Sequence, residues 1–135
     1  MMITATQQAA ATSKKLSSAG LKAFFNIAHD WKLKNDQEIT LLGSPSRAAY
    51  FKWKRAPETA HLSRDTLERI SYLLGIYKSL QILLPDTTSA DAWISKPNNA
   101  PLFGGQSALD RMLSGNVADL FVVRQYLDAT RDGWA

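Results

Sequence analysis

Between Ser63 and Pro85 the chain carries Leu67, Ile70, Leu73, Leu74, Tyr77, Leu80 and Leu84, apolar residues recurring every three or four positions. That period places them in one wide stripe on an α-helix; a half-buried strand would instead alternate every second residue. Ser63 suits the N-cap of this helix and Pro85 its end. A long helix with one apolar face has to be covered, so its neighbours must be helices that turn apolar faces towards it. The stripe reads as core, with part of it available to a second copy of the chain.

The flanking segments meet that demand. Leu21, Phe24, Phe25, Ala28 and Trp31 recur at helical steps, predicting a helix over 17–33 capped by Ser17 or Ser18. Asn35 or Asp36 opens a shorter helix bearing Ile39 and Leu42, which Gly43 ends. Ser44 and Pro45 suit the cap and first position of a third helix over 45–55, stopped by Pro57. Ser89 is expected to start a brief helix with Trp93. Ser107 with Asp110 forms a capping-box pattern before LDRML, and Asn116 with Asp119 caps a last helix whose Leu120, Val123 and Leu127 face inward. No segment has strand periodicity and none repeats, so the fold class is all-α. Residues 1–16 hold few large apolar groups and are expected to form a mobile tail.

Charge is unevenly spread. Residues 1–64 hold ten Lys/Arg against four Asp/Glu, whereas residues 65–135 hold six against eight. A basic half beside a mildly acidic one suggests two jobs, one of them on a polyanion; a solvated basic face explains the excess equally well. The chain has no cysteine, which excludes disulfides and thiolate metal sites. Its N-terminus lacks the order of a signal peptide, and no apolar run approaches a membrane span. A soluble, cytoplasmic protein is expected.

Two short helices around a glycine-containing turn, the second of them basic, make a helix-turn-helix pattern. In such a pair the second helix enters the major groove. Arg47, Tyr50 and Lys54 fall on one face of it, and Ser46 stands at its start, where base edges are met. Arg47 has the fork to bond guanine, while Lys52, Lys54 and Arg55 suit phosphate. Packing explains Ala48, Ala49, Phe51 and Trp53. The same spacing also occurs in helical proteins that never meet DNA.

Nothing comparable points to catalysis. His29 and His61, the two histidines, have no metal-ligand spacing. Gly104-Gly105 lacks the residues of a phosphate loop. Asp36, Asp91, Asp110 and Asp119 stand singly at helix starts, where capping explains them. No nucleophile, base and orienting group come together in sequence. The expectation is a binding protein without cofactor or metal, not an enzyme.

The segments SRDTLERISYLLGIYKSLQILLP (63–85), AW (92–93), PNNAPLFGGQSALDRMLSG (97–115) and VVRQYLDA (122–129) resemble the Xre/MbcA/ParS toxin-binding antitoxin family. The basic helix pair ahead of them is similar to the Xre-type helix-turn-helix of that family. One departure is Ala108, where the family often has proline. The resemblance implies an N-terminal Xre-like domain over 17–78 for DNA binding and dimerisation, and a helical toxin-binding domain over 79–135. It implies a RES-type toxin partner that consumes NAD, obstruction of the toxin's pocket by the C-terminal domain, and repression of the shared promoter by a homodimer on operator DNA. The closing residues, RQYLDATRDGWA, are rich in the arginine and aromatic types that dominate binding hot spots, which singles out Arg124, Tyr126, Arg131 and Trp134. Two other readings stay open: a stand-alone helix-turn-helix regulator without a toxin, and an interaction protein whose helix pair never touches DNA.

Overall fold

The computed structural model describes residues 4–133. Seven α-helices make up the described chain: α1 (Ala5–Asp30), α2 (Asn35–Leu41), α3 (Arg47–Arg55), α4 (Arg64–Leu83), α5 (Thr87–Ala92), α6 (Ala108–Met112) and α7 (Val117–Arg131). Short 3₁₀ turns follow α3 and α5, at Pro57–Thr59 and Trp93–Ser95. Among the described residues the one piece of β-pairing is an isolated bridge between Pro97 and Ser107.

The helix expected over 63–84 is the axis of the molecule. Ser63 caps α4 by accepting the Thr66 N–H. One side of α4 packs on α1 and the other on α7. Ile70, Leu73, Ile76 and Leu80 are all buried along it, against Leu21, Phe24 and Ile27 of α1 and Leu120, Val123 and Leu127 of α7. Each such side chain contributes about 1.5–3 kcal/mol by leaving water, so these rows outweigh any single polar contact in the fold. Polar ties fix the register: Ser79 Oγ donates to Asp128 Oδ1 at 2.9 Å, and Tyr77 Oη donates to Asp30 Oδ2 at 2.8 Å. Arg69, although buried, is satisfied by Asp65 at 2.8 Å and by the Gly115 carbonyl at 3.1 Å.

Several helix starts differ from the sequence reading, each for a local reason. Helix α1 begins at Ala5, not at Ser17, so residues 5–16 are helical instead of a tail. Thr4 and Gln7 form a capping box there, and the Gln/Ala-rich stretch that follows has high helix propensity. Ser17 is no cap: it is fully buried, and its Oγ accepts the Leu62 N–H at 3.1 Å. Helix α3 is capped by Ser46, not Ser44, which instead adopts a left-handed φ of 61° after Gly43. Asp86 rather than Ser89 caps α5. The Ser107–Asp110 capping box is present as read. Asn116 precedes α7 but makes no side-chain cap, and Asp119 binds Arg111 at 3.1 Å instead. Asp36 and Asp91 likewise serve as partners of Arg47 and Gln81.

Candidate DNA-binding and toxin-binding surfaces

Helices α2 and α3 are joined by Leu42–Ser46. Gly43, at φ 95°, lets α2 end: its N–H reaches the Thr40 carbonyl, and the Ser44 N–H reaches that of Ile39. The candidate reading helix α3 is thereby turned across α2, and its face towards α2 is set by Tyr50. Tyr50 is fully buried; its hydroxyl donates to Glu38 Oε1 at 2.9 Å and lies 3.0 Å from Asn35 Oδ1. Burial first, and then the Glu38 hydrogen bond, push its ionisation well above the usual tyrosine range. A base-edge contact by Tyr50 is therefore ruled out: the residue is core.

Its two companions differ from each other. Lys54 Nζ donates to Asn35 Oδ1 at 3.1 Å and to Tyr50 Oη at 3.2 Å, and lies 3.6 Å from Glu38 Oε2. The Glu38 side chain is only 6% exposed, so taking Lys54 away would strand a buried carboxylate. Lys54 is held to its own fold. Arg47 pairs with Asp36 at 2.8 Å, but both side chains are exposed, at 64% and 86%. Such a pair is worth about 0–1 kcal/mol, little enough for DNA to displace. Ser46 is exposed, but its Oγ is engaged in capping Ala49 N–H at 3.1 Å. The side of α3 opposite Tyr50 carries Ala48, Lys52 and Arg55, all exposed. Neither Lys52 nor Arg55 makes an ion pair or a side-chain hydrogen bond among the described residues.

In the C-terminal half, the PNNAPLFGG loop closes on itself. Asn98 N–H donates to the Gln106 carbonyl, Gly105 N–H to that of Asn98, and Asn98 Oδ1 accepts the Ala100 N–H. Phe103 is buried beneath the loop between Trp93 and Tyr126, with ring centroids at 5.9 and 5.3 Å. Tyr126 is thus half-buried in its own domain, beside an apolar notch lined by Leu83, Leu84 and Trp93. Arg124 lies on another side of α7. Its guanidinium crosses α4 at Gly75, where any Cβ would collide with it; Nη1 donates to the Ser71 carbonyl at 3.3 Å and Nε sits 3.5 Å from Asp128. Arg124, Arg131 and Lys78 line one open polar notch with Asp128 and Asp132. Arg131 is exposed in the last turn of α7, and Trp134 lies outside the described residues.

Two family models account for this division. Residues 7–75 match the antitoxin Xre-like helix-turn-helix domain, and residues 79–133 match the antitoxin Xre/MbcA/ParS C-terminal toxin-binding domain. The chain belongs to the Xre family of antitoxins. A relative from Sinorhizobium fredii (strain NBRC 101917 / NGR234), the uncharacterized protein y4oB, is 53% identical over 115 residues, which cover 85% of this chain and 86% of the relative. No solved structure matches it.

Of the residues singled out on the antitoxin's sequence, the structure brings Arg124 and Arg131 together and sets Tyr126 apart from them. It leaves Arg47, Lys52 and Arg55 accessible, withdraws Tyr50, and keeps Lys54 exposed but tied to Glu38, Asn35 and Tyr50. Lys78 and Gly75 were missed. The signal for Gly75 was a glycine inside a strong helix pattern, which marks a close approach when it costs about 1 kcal/mol of helix propensity. Among the described residues no helix is long and apolar enough to cross a membrane, and no acidic, histidine or cysteine group is arranged to hold a metal.

Proposed function

We propose that this antitoxin neutralises a RES-type, NAD-consuming toxin by covering its pocket with the C-terminal domain, and that as a homodimer it represses its own operon through α3. The match of residues 79–133 to a toxin-binding domain carries the reading. The Lys78, Arg124 and Arg131 notch supports it, since guanidinium groups pair well with the acidic or carbonyl groups around a nucleotide pocket. On the DNA side, Arg47, Lys52 and Arg55 are the exposed cations of the reading helix that no buried partner holds. The toxin contact extends to the residues after Arg131, Trp134 included.

Cellular NAD after induction of the adjacent toxin gene, with and without this chain, tests the proposal. NAD should collapse with the toxin alone and recover on co-expression. Removing residues 131–135 should weaken that rescue far more than it lowers the melting temperature. An unchanged NAD level with an intact, salt-sensitive operator complex would favour the stand-alone regulator instead.

A further inference from the structure

Helices α1 and α4 run in the same direction: Ser17 is bonded to Leu62, Gly20 lies beside Ile70, and Asp30 is tied to Tyr77. Between them lies a surface groove of about 400 Å³, lined by Leu16, Ala19, Gly20, Leu67, Ser71 and Leu74. Its lining is apolar apart from Ser71, and nothing among the described residues covers it. Three features of the groove bear on what does.

The first is Leu16, which at 59% exposed is the most exposed large apolar side chain among the described residues. It stands on the wall of the groove, so one patch carries both a protruding side chain and a hollow. A twofold contact needs that combination, because the same patch must serve on both sides. The second is Gly20. A Cβ there would meet Ile70 at 3.6 Å, an ordinary contact, and the backbone is helical. The fold itself would accept alanine, the better helix former, so the glycine instead keeps the groove open to a side chain from outside. The third is charge. Lys22 stands one turn after Ala19 and Glu68 one turn before Ser71, so each borders the groove, and both are exposed. Lys22 makes no ion pair among the described residues, and Glu68 holds the neutral Tyr72 hydroxyl at 3.0 Å and no cation.

We infer that this groove receives a second copy of the chain, with α1 of each copy laid over α4 of the other about a twofold axis running along the groove. The inference names the contact surface of the homodimer proposed for operator binding, and rests on that reading. Leu16 of each copy enters the groove of the other, into the space that Gly20 leaves. The Ser17–Leu62 and Gly20–Ile70 contacts put Lys22 level with residues 67–72, so it meets Glu68 of the other copy on each flank. Such rim pairs fix register more than affinity. The α2–α3 turn sits at the start of α4, where the Thr66 hydroxyl donates to the Leu42 carbonyl at 3.2 Å. Copies that run parallel therefore carry both reading helices at one end of the four-helix packing, as a paired half-site requires.

Light scattering on the full chain during size exclusion, over a range of protein concentrations, tests this without toxin or DNA. The wild type should be a dimer. Leu16→Glu alters an exposed side chain, so its circular dichroism should remain that of the folded helical chain while dimer affinity falls at least about tenfold. Lys22→Glu and Glu68→Lys should each weaken the dimer at least about threefold, and both changes in one chain should restore it. A dimer that withstands Leu16→Glu, or a double reversal no better than either single one, overturns the inference and leaves the homodimer reading standing. Loss of toxin capture by Leu16→Glu with the dimer intact would give the groove to the toxin instead. A wild type that is monomeric at every concentration overturns the inference and the homodimer reading together.

Discussion

Two helices of this antitoxin end in the same hydrogen-bonded turn with different residues at its left-handed position. Gly43 stands there after α2 and Lys32 after α1. The strain at Lys32 is worth about 1 kcal/mol, so Lys32→Gly should raise stability in urea unfolding by about 0.5–1 kcal/mol. A loss of stability would mean that the lysine side chain is itself a structural contact. At this scale the sequence was readable for some caps and turns: Gly43, Ser63 and the Ser107–Asp110 box stand as their residue types predict, whereas Ser44, Ser89 and Asn116 do not cap the helices they were expected to start. It was not readable for Ser17, whose burial depends on Leu62, a partner far along the chain. Nor was it for Tyr50, whose place in a basic helix hides the Glu38 carboxylate waiting beneath it.

Among the elements, α3 divides into a face tied to α2 and a face open to a partner. Replacing Lys52 and Arg55 together by Glu should reduce operator affinity at least about tenfold and flatten its salt dependence. Tyr50→Phe should leave affinity nearly unchanged while costing about 1–3 kcal/mol of stability, because Glu38 loses a donor. Gel shifts at several salt concentrations, beside thermal unfolding, separate the two effects. Helix α7 offers a similar contrast. Gly75→Ala adds a methyl where the Arg124 guanidinium now lies, and that flexible end can swing away. The fold should survive, since alanine improves helix propensity by about 1 kcal/mol, while the displaced arginine weakens toxin neutralisation. Equal neutralisation by this variant would remove Arg124 from the interface. The helical period revealed α4 and the inward face of α7. Which polar side chains on these helices are free was hidden, because that depends on how neighbouring helices cross.

For the whole molecule, alkaline stability reports how the two halves are tied. Tyr77 joins α4 to the end of α1, and its hydroxyl is pushed up to about 12, first by the bond to Asp30 and then by burial. An unfolded tyrosine ionises near pH 10, so between these values the folded chain keeps a proton that the unfolded chain has lost. Stability should fall as pH rises across that window, and the fall should be smaller in Tyr77→Phe. Unfolding midpoints measured from pH 9 to 12 would show it; identical slopes in both proteins would assign the loss to other groups.

Helix α4 passes from one matched domain into the other without a break: the helix-turn-helix match ends at Gly75 and the toxin-binding match begins at Ser79, both inside Arg64–Leu83. The two surfaces are thus mounted on a single shaft. One residue inserted between Gly75 and Ser79 would turn the toxin-facing side by about 100° relative to the DNA-facing side and advance it about 1.5 Å. A seven-residue insertion, close to two full turns, would nearly restore the angle. The number of residues between these positions therefore acts as a phase setting between the two surfaces.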